Sequence, residues 1–235
     1  MGMREKMKIK INRRDTIKYG MLTVAGCVMA GFGSYLKEYS TDKFTGIRPP
    51  GAVEENKFQH LCIKCGQCLQ VCPYHAVSLK DISAGVDIGT PVIYPELRGC
   101  YLCDLLPCVL ACPSGALNHD VSDAHDVKMA EITVLSKENC FGLKNVSVSK
   151  DDVLKVASHG VKSPVEKELI EKLKLTMGKP CRICSDFCPY PEKEQAIQFV
   201  ETDSGYYPKI QQNCAGCGVC IELCPAGNVF SYEKI

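Results

Sequence analysis

The sequence predicts an α+β chain built from two tandem modules behind a separate N-terminal segment, and three observations carry that prediction. Cysteine supplies 17 of the 235 residues, and most cysteines fall into four runs of one pattern. The flanks of the runs repeat as well: Ile93-Tyr94-Pro95-Glu96-Leu97 leads into Cys100 much as Tyr206-Tyr207-Pro208-Lys209-Ile210 leads into Cys214. After each Cys-Pro comes a short apolar stretch (Ala76-Val77, Ala116-Leu117, Ala196-Ile197, Asn228-Val229-Phe230) suited to a small strand. Internal repetition of this kind argues for a duplicated unit.

The C-terminal run shows the pattern best. Cys214-Ala215-Gly216-Cys217-Gly218-Val219-Cys220-Ile221-Glu222-Leu223-Cys224-Pro225 reads C-x2-C-x2-C-x3-C-P, the bacterial run that ligates iron–sulfur clusters. Three thiolates spaced by two residues let a tight loop wrap one face of a cubane. The fourth, before proline, belongs in two-cluster proteins to the neighbouring cluster. Cys220 and Cys224 lie one helical turn apart and share a face, Pro225 disfavours further helix, and Gly216 and Gly218 allow close backbone approach to sulfur. Zinc favours paired knuckles separated by about 12–20 residues, and disulfides need no local regularity. Four cysteines in eleven residues fit neither well.

Charge divides the chain. The first 36 residues hold seven Lys/Arg and two Asp/Glu, leaving 21 basic against 25 acidic residues in the remainder. Clusters with four thiolates add about −2 each, so the working part is acidic and a nucleic-acid partner is not expected.

Residues 1–36 read as a signal or membrane anchor. Arg13-Arg14-Asp15-Thr16-Ile17-Lys18 precedes 18 uncharged residues, Tyr19 to Leu36. A basic start before an apolar run is an export signature, and the adjacent arginines resemble a twin-arginine signal, a route that exports folded cargo. Eighteen residues also fall in the range of about 17–25 that spans a bilayer. Cleavage after Val28-Met29-Ala30, retention as an anchor and lipidation at Cys27 all stay open. Each places the remainder on the periplasmic side. Residues 37–56, with Pro49-Pro50-Gly51 and no periodicity, read as a linker.

The modules are expected at 57–130 and 131–235. Cys62, Cys65, Cys68 and Cys72-Pro73 repeat the C-terminal spacing, and Cys100, Cys103, Cys108 and Cys112-Pro113 add two residues before the third cysteine. The third run, Cys181, Cys184 and Cys188-Pro189, lacks one. Cys140 is assigned as the missing ligand, against a buried free thiol, because four runs need sixteen cysteines. Between Cys140 and Cys181 lie forty residues, with a helical insertion at about 143–179. Ser163-Pro164-Val165-Glu166 forms a capping box with proline at the first helical position, ahead of an apolar face of Val165, Leu169, Ile170 and Leu173. Ser149 to Asp152 offers a second start before Val153, Leu154 and Val156, ended by Gly160. The insertion is expected to be a solvated excursion over one cluster, with a docking surface as the alternative. His60, His75, His119, His125 and His159 read as surface or packing residues. No phosphate-binding loop, dinucleotide fingerprint or nucleophile elbow is present.

A twin-arginine-like start, four ferredoxin-type runs, the longer spacing in the second and the detached first cysteine of the third resemble the NapG/MauM family of ferredoxin-type proteins. The resemblance implies two ferredoxin-like modules and four 4Fe-4S clusters. It also implies an integral membrane quinol-oxidising partner, NapH-like, and electron flow towards a periplasmic reductase, nitrate reductase being the reading adopted. Such a chain is a component of a quinol dehydrogenase complex rather than a self-contained catalyst. The alternatives are an iron–sulfur subunit of another exported molybdoenzyme or cytochrome system, and a maturation or scaffold factor with structural clusters.

Under the crossed pattern of two-cluster ferredoxins, the first cluster takes Cys62, Cys65, Cys68 and Cys112, and the second Cys100, Cys103, Cys108 and Cys72. The third takes Cys140, Cys181, Cys184 and Cys224, and the fourth Cys214, Cys217, Cys220 and Cys188. Only 27 residues separate Cys72 from Cys100 and 25 separate Cys188 from Cys214, short links that suit adjacent halves.

Overall fold

The computed structural model describes residues 20–24, 26–29, 46–158 and 160–235. The chain divides into two units, Met1–Phe44 and Thr45–Ile235. In the first, residues 20–24 and 26–29 are helical. The arginine pair at 13–14 lies outside the described residues, as do His159 and the start of the expected linker. Among the described residues no helix is long and apolar enough to cross a membrane.

The second unit mixes short helices with three two-stranded antiparallel sheets. Strand β1 (Val77–Leu79) pairs with β2 (Pro91–Ile93), β3 (Ala130–Val134) with β6 (Phe230–Lys234), and β4 (Ile197–Thr202) with β5 (Gly205–Ile210). The apolar stretches after Cys72, Cys188 and Cys224 lie at the starts of β1, β4 and β6, and that after Cys112 bridges from Leu117 to Ala52. Four helices of four residues each carry a cysteine: α2 (Gln67–Gln70) Cys68, α3 (Pro107–Leu110) Cys108, α6 (Ile183–Asp186) Cys184 and α8 (Val219–Glu222) Cys220. Helix α1 is Glu55–Leu61, and α7 is Lys193–Ala196.

The linker reading fails from residue 46 onward. Ile47 is fully buried and pairs with Ile93, while Ala52 pairs with Leu117. Proline and glycine here bend the segment rather than free it: Gly51, at φ +73°, turns the chain so that it reaches two partners. Arg48 is buried beside it. Its guanidinium donates to Glu55 Oε1 (2.5 Å), Thr90 Oγ1 (2.9 Å) and the Pro91 carbonyl (2.7 Å), and stacks 4.5 Å over the Phe58 ring. Burial alone would raise the Glu55 carboxyl, but hydrogen bonds from Arg48 and Lys234 outweigh it and hold the group at about 2.

The insertion differs from the expectation too. Both helices form where the capping boxes place them, α4 (Lys150–Ala157) from Ser149 and α5 (Pro164–Lys174) from Ser163. They are not a solvated excursion. Val153, Val156, Ile170 and Leu173 join the main core, and Glu166 is buried beside two residues of the first half. Its Oε1 lies 3.1 Å from His75 Nδ1 and 3.7 Å from Arg98 Nη2. An apolar face on each helix needs a partner, and here the partner is the body of the unit.

Candidate iron–sulfur sites

Left-handed backbone shapes the ligand loops. Lys64 (φ 57°) and Gly66 (74°) bracket Cys65, Gly216 (71°) and Gly218 (80°) bracket Cys217, and Leu102 (43°) precedes Cys103. Alternating helical and left-handed residues turn successive N–H groups inward, making a concavity for a negative group such as a thiolate-ligated cluster. After the Cys-Pro pairs a second such turn occurs at His75, Gly115 and Gly227. It aims N–H groups at the preceding sulfur: Ala76 N–H donates to Cys72 Sγ at 3.3 Å and Leu117 N–H to Cys112 Sγ at 3.4 Å. Pro191 in the third run cannot take the left-handed turn.

The runs converge in crossed pairs in the first half. Cys62, Cys65, Cys68 and Cys112 wall one small pocket, together with Phe58, Ile63 and Leu117. Cys72, Cys100, Cys103 and Cys108 wall another, whose remaining lining includes Val77, Ile93 and Leu106. Each cavity therefore takes three sulfurs from one run and one from the other.

In the second half five of the eight expected cysteines share one apolar cluster. The bridge between Ser147 and Pro180 closes the base of the insertion, with Val148 N–H donating to the Lys179 carbonyl at 3.1 Å. This closure brings the two ends of a forty-residue excursion back to one place. Gly142 lies against Tyr206, whose N–H donates to its carbonyl at 3.2 Å, and Cys140 Sγ sits 3.9 Å from the Tyr206 carbonyl. Buried Cys140 packs in one apolar cluster with Cys184, Cys214, Cys220 and Cys224.

Thiol acidity reports which sulfurs are neighbours. Burial pushes Cys68 up to about 11, and the nearby Cys62, Cys65 and Cys112 add to it. Burial raises Cys108 to about 12, with Cys72 and Cys103 contributing. Cys181 is raised to about 11 by burial, with Cys224 and Cys140 adding, and buried Cys184 feels Cys181, Cys224 and Cys140. Burial raises Cys220, and Cys217, Cys214, Cys184 and Cys188 add to it. Cys112 moves the other way: burial raises it, but N–H donors from Leu117, Ser114 and Ala116 prevail. Buried thiols held this high stay protonated until a metal centre takes the proton's place, so loading releases protons.

The donor sets fit iron–sulfur clusters. All 17 cysteines are free of disulfides. Among the described residues no group of three or more cysteine, histidine, aspartate or glutamate side chains gathers for a single metal ion, as a zinc site would require with sulfurs about 2.3 Å from one centre. Around the first two cavities the four sulfurs stand in mainly apolar walls with N–H donors aimed at Cys72 and Cys112.

Two buried carboxylates escaped the sequence reading. Glu222, between Cys220 and Cys224, is 5% exposed. It accepts from the Gly99 N–H (2.7 Å), the Tyr101 hydroxyl (3.1 Å) and Arg98 Nη1 (3.3 Å). Burial pushes it up to about 7 despite those donors. Glu166 was legible only as the end of a capping box; the same carboxylate also meets His75. Nothing in either local sequence marks the residue as buried.

The sulfur placement fits iron–sulfur binding, and residues 61–116 match the 4Fe-4S dicluster domain family. Over nearly the whole chain the homologues are NapG/MauM ferredoxin-type proteins. The methylamine utilization ferredoxin-type protein MauM of Paracoccus denitrificans is 29% identical over 224 residues, covering 93% of this chain and 85% of that one. The ferredoxin-type protein NapG of Escherichia coli is 26% identical over 230 residues, covering 94% and 85%. The polyferredoxin protein MvhB of Methanothermus fervidus is 36% identical over 110 residues, 46% of this chain and 23% of its own. No solved structure matches.

Proposed function

We propose that the chain relays electrons through four 4Fe-4S clusters, held in two tandem ferredoxin-like modules, from a membrane quinol-oxidising partner to a periplasmic acceptor. The observation that carries this reading is the pair of crossed four-cysteine cavities of the first half, supported by the cluster of Cys140 with Cys184, Cys214, Cys220 and Cys224 in the second. The clusters supply one-electron carriage. The chain's own residues hold them, shield them with apolar walls and set their potentials through N–H···S bonds and exposure. The paired cysteines suit the chain to the part of a conductor.

The relatives offer two acceptor systems. Nitrate reductase is the first reading, with a NapH-like membrane partner. The methylamine system is the second, and the 29% identity to a MauM protein favours keeping it. The twin-arginine-like start supports export in the folded, loaded state to the periplasmic face of the membrane.

One experiment joins these claims. A host lacking the gene is complemented with the wild-type chain or with Arg13→Lys and Arg14→Lys together, then fractionated and assayed for nitrate-dependent and methylamine-dependent electron flow. The reading expects wild-type protein with periplasmic membranes, restoring one of the two flows, and the double variant stranded with its iron in the cytoplasm. Restoration of neither flow by correctly localised, loaded wild-type protein contradicts the relay. Normal delivery of the double variant contradicts the export route.

A further inference from the structure

Four clusters in one chain can be strung in several orders, and the contacts between the cysteine sets select one. The first set (Cys62, Cys65, Cys68, Cys112) and the second (Cys72, Cys100, Cys103, Cys108) are interlocked, because each borrows a sulfur from the other's run and α2 packs on α3. The third (Cys140, Cys181, Cys184, Cys224) and fourth (Cys188, Cys214, Cys217, Cys220) are joined likewise. Helix α6 packs on α8, and Cys140, Cys184, Cys220 and Cys224 share one apolar cluster. The remaining question is which set of one pair faces which set of the other.

Backbone contacts answer it. The Cys100 N–H donates to the Cys217 carbonyl at 2.8 Å, tying the loop of the second set directly to the loop of the fourth. Gly99 lies flat on that loop: a Cβ there would stand 2.5 Å from the Val219 nitrogen. Gly218 is pressed on Pro95, with its Cβ position 2.7 Å from the proline ring. Glu222, on the helix that carries Cys220, accepts the Gly99 N–H and the Tyr101 hydroxyl from either side of Cys100. Every one of these contacts joins the second set to the fourth.

We propose that the four sets stand in single file in the order first, second, fourth, third, with Gly99 and Glu222 as the positioning residues of the middle junction. The proposal rests on the reading that each set holds one cluster. The chain thus enters its second half at the last run in sequence and ends at the third. The two termini of the file are where partners exchange electrons. At the first set Cys65 is exposed beside Ile63, itself 65% exposed. At the third, Cys140 is buried with its sulfur 3.9 Å from the Tyr206 carbonyl.

The test is electron paramagnetic resonance of the full-length loaded chain reduced with dithionite, in which adjacent reduced clusters split and broaden each other's signals. Iron content is measured in every sample. Removing the fourth set (Cys214→Ser with Cys217→Ser) should leave about three quarters of the wild-type iron, a coupled pair and one isolated signal from the third set. Removing the third (Cys140→Ser with Cys184→Ser) should leave three coupled clusters and no isolated signal. The opposite assignment of isolated signals overturns the order. Gly99→Val, with every cysteine present, must push the second loop off the fourth and should split the coupling into two pairs in proportion to the iron kept; unchanged coupling per iron overturns the junction. Should the serine variants not fold, an iron anomalous-scattering map of crystals of the wild-type chain decides. The fourth site must lie between the second and third, and a third site nearer the second than the fourth is contradicts the file. Wild-type protein with fewer than four clusters would refute the underlying relay reading instead, and the iron count identifies that case.

Discussion

At the scale of single residues, the ligand loops depend on backbone that most side chains resist. Glycine meets this need at Gly66, Gly216 and Gly218, whereas Lys64, Leu102, Leu105 and Leu106 adopt positive φ without it. A left-handed conformation costs an ordinary residue about 1–2 kcal/mol, and it persists where the surroundings over-determine it. Two glycines separate the conformational cost from the steric one. Gly115→Ala, at φ +69° with nothing within 4 Å of its Cβ position, should lower stability by about 1–2 kcal/mol. Gly216→Ala, at φ +71°, would place its Cβ 2.0 Å from the Ala130 carbonyl oxygen. Backbone there cannot yield, so the loss should exceed 3 kcal/mol, roughly the sum of strain and overpacking, with iron lost from the fourth set. Denaturation midpoints and iron contents of the two variants check this; equal losses would show that conformation alone sets the cost. The glycines were legible in the sequence, but the positive φ of Leu102, Leu105 and Leu106 was not. Leucine carries no local signal for it, and only the extra two residues of the second run hint that its loop takes another path.

At the scale of elements, the two insertion helices show how local signals and tertiary packing divide the information. Ser149 and Ser163 announced both starts, because a serine cap and an acidic third residue satisfy end donors locally. Where the helices dock is a long-range matter, and charged residues on their outer faces disguised it. Leu173 is 1% exposed in the core, while Leu175, just past the end of α5, is 69% exposed. Leu173→Ala should cost about 2–5 kcal/mol and Leu175→Ala no more than about 0.5 kcal/mol. Urea unfolding followed by cluster absorbance distinguishes them. A negligible effect of Leu173→Ala would return the insertion to the solvated role first expected of it. The stretch from Ile47 to Val53 teaches the same point. Scattered apolar residues among proline and glycine have no period to detect, yet Ile47 closes onto Ile93 of β2 and Ala52 onto Leu117.

At the scale of the molecule, the 36 buried apolar residues and three two-stranded sheets among the described residues must hold an interior divided by cysteine loops. Sheets this small are marginal alone, so metal ligation is expected to supply much of the folding energy. The spacing of the runs marked the cysteines that wall the first two cavities, and counting to sixteen pointed to Cys140. The buried Arg98, Glu166 and Glu222 that join the two halves were not legible, because a charged residue carries no mark of its burial until both halves are in place. All of this converges on one number, the iron bound per chain. Iron and acid-labile sulfide, measured on anaerobically purified full-length protein, should each come to about sixteen per chain, four for each cysteine set. Cys140→Ser should diminish the third set alone. About eight irons per chain, with no change on replacing Cys140, would confine the clusters to the dicluster domain at residues 61–116 and contradict the four-cluster account.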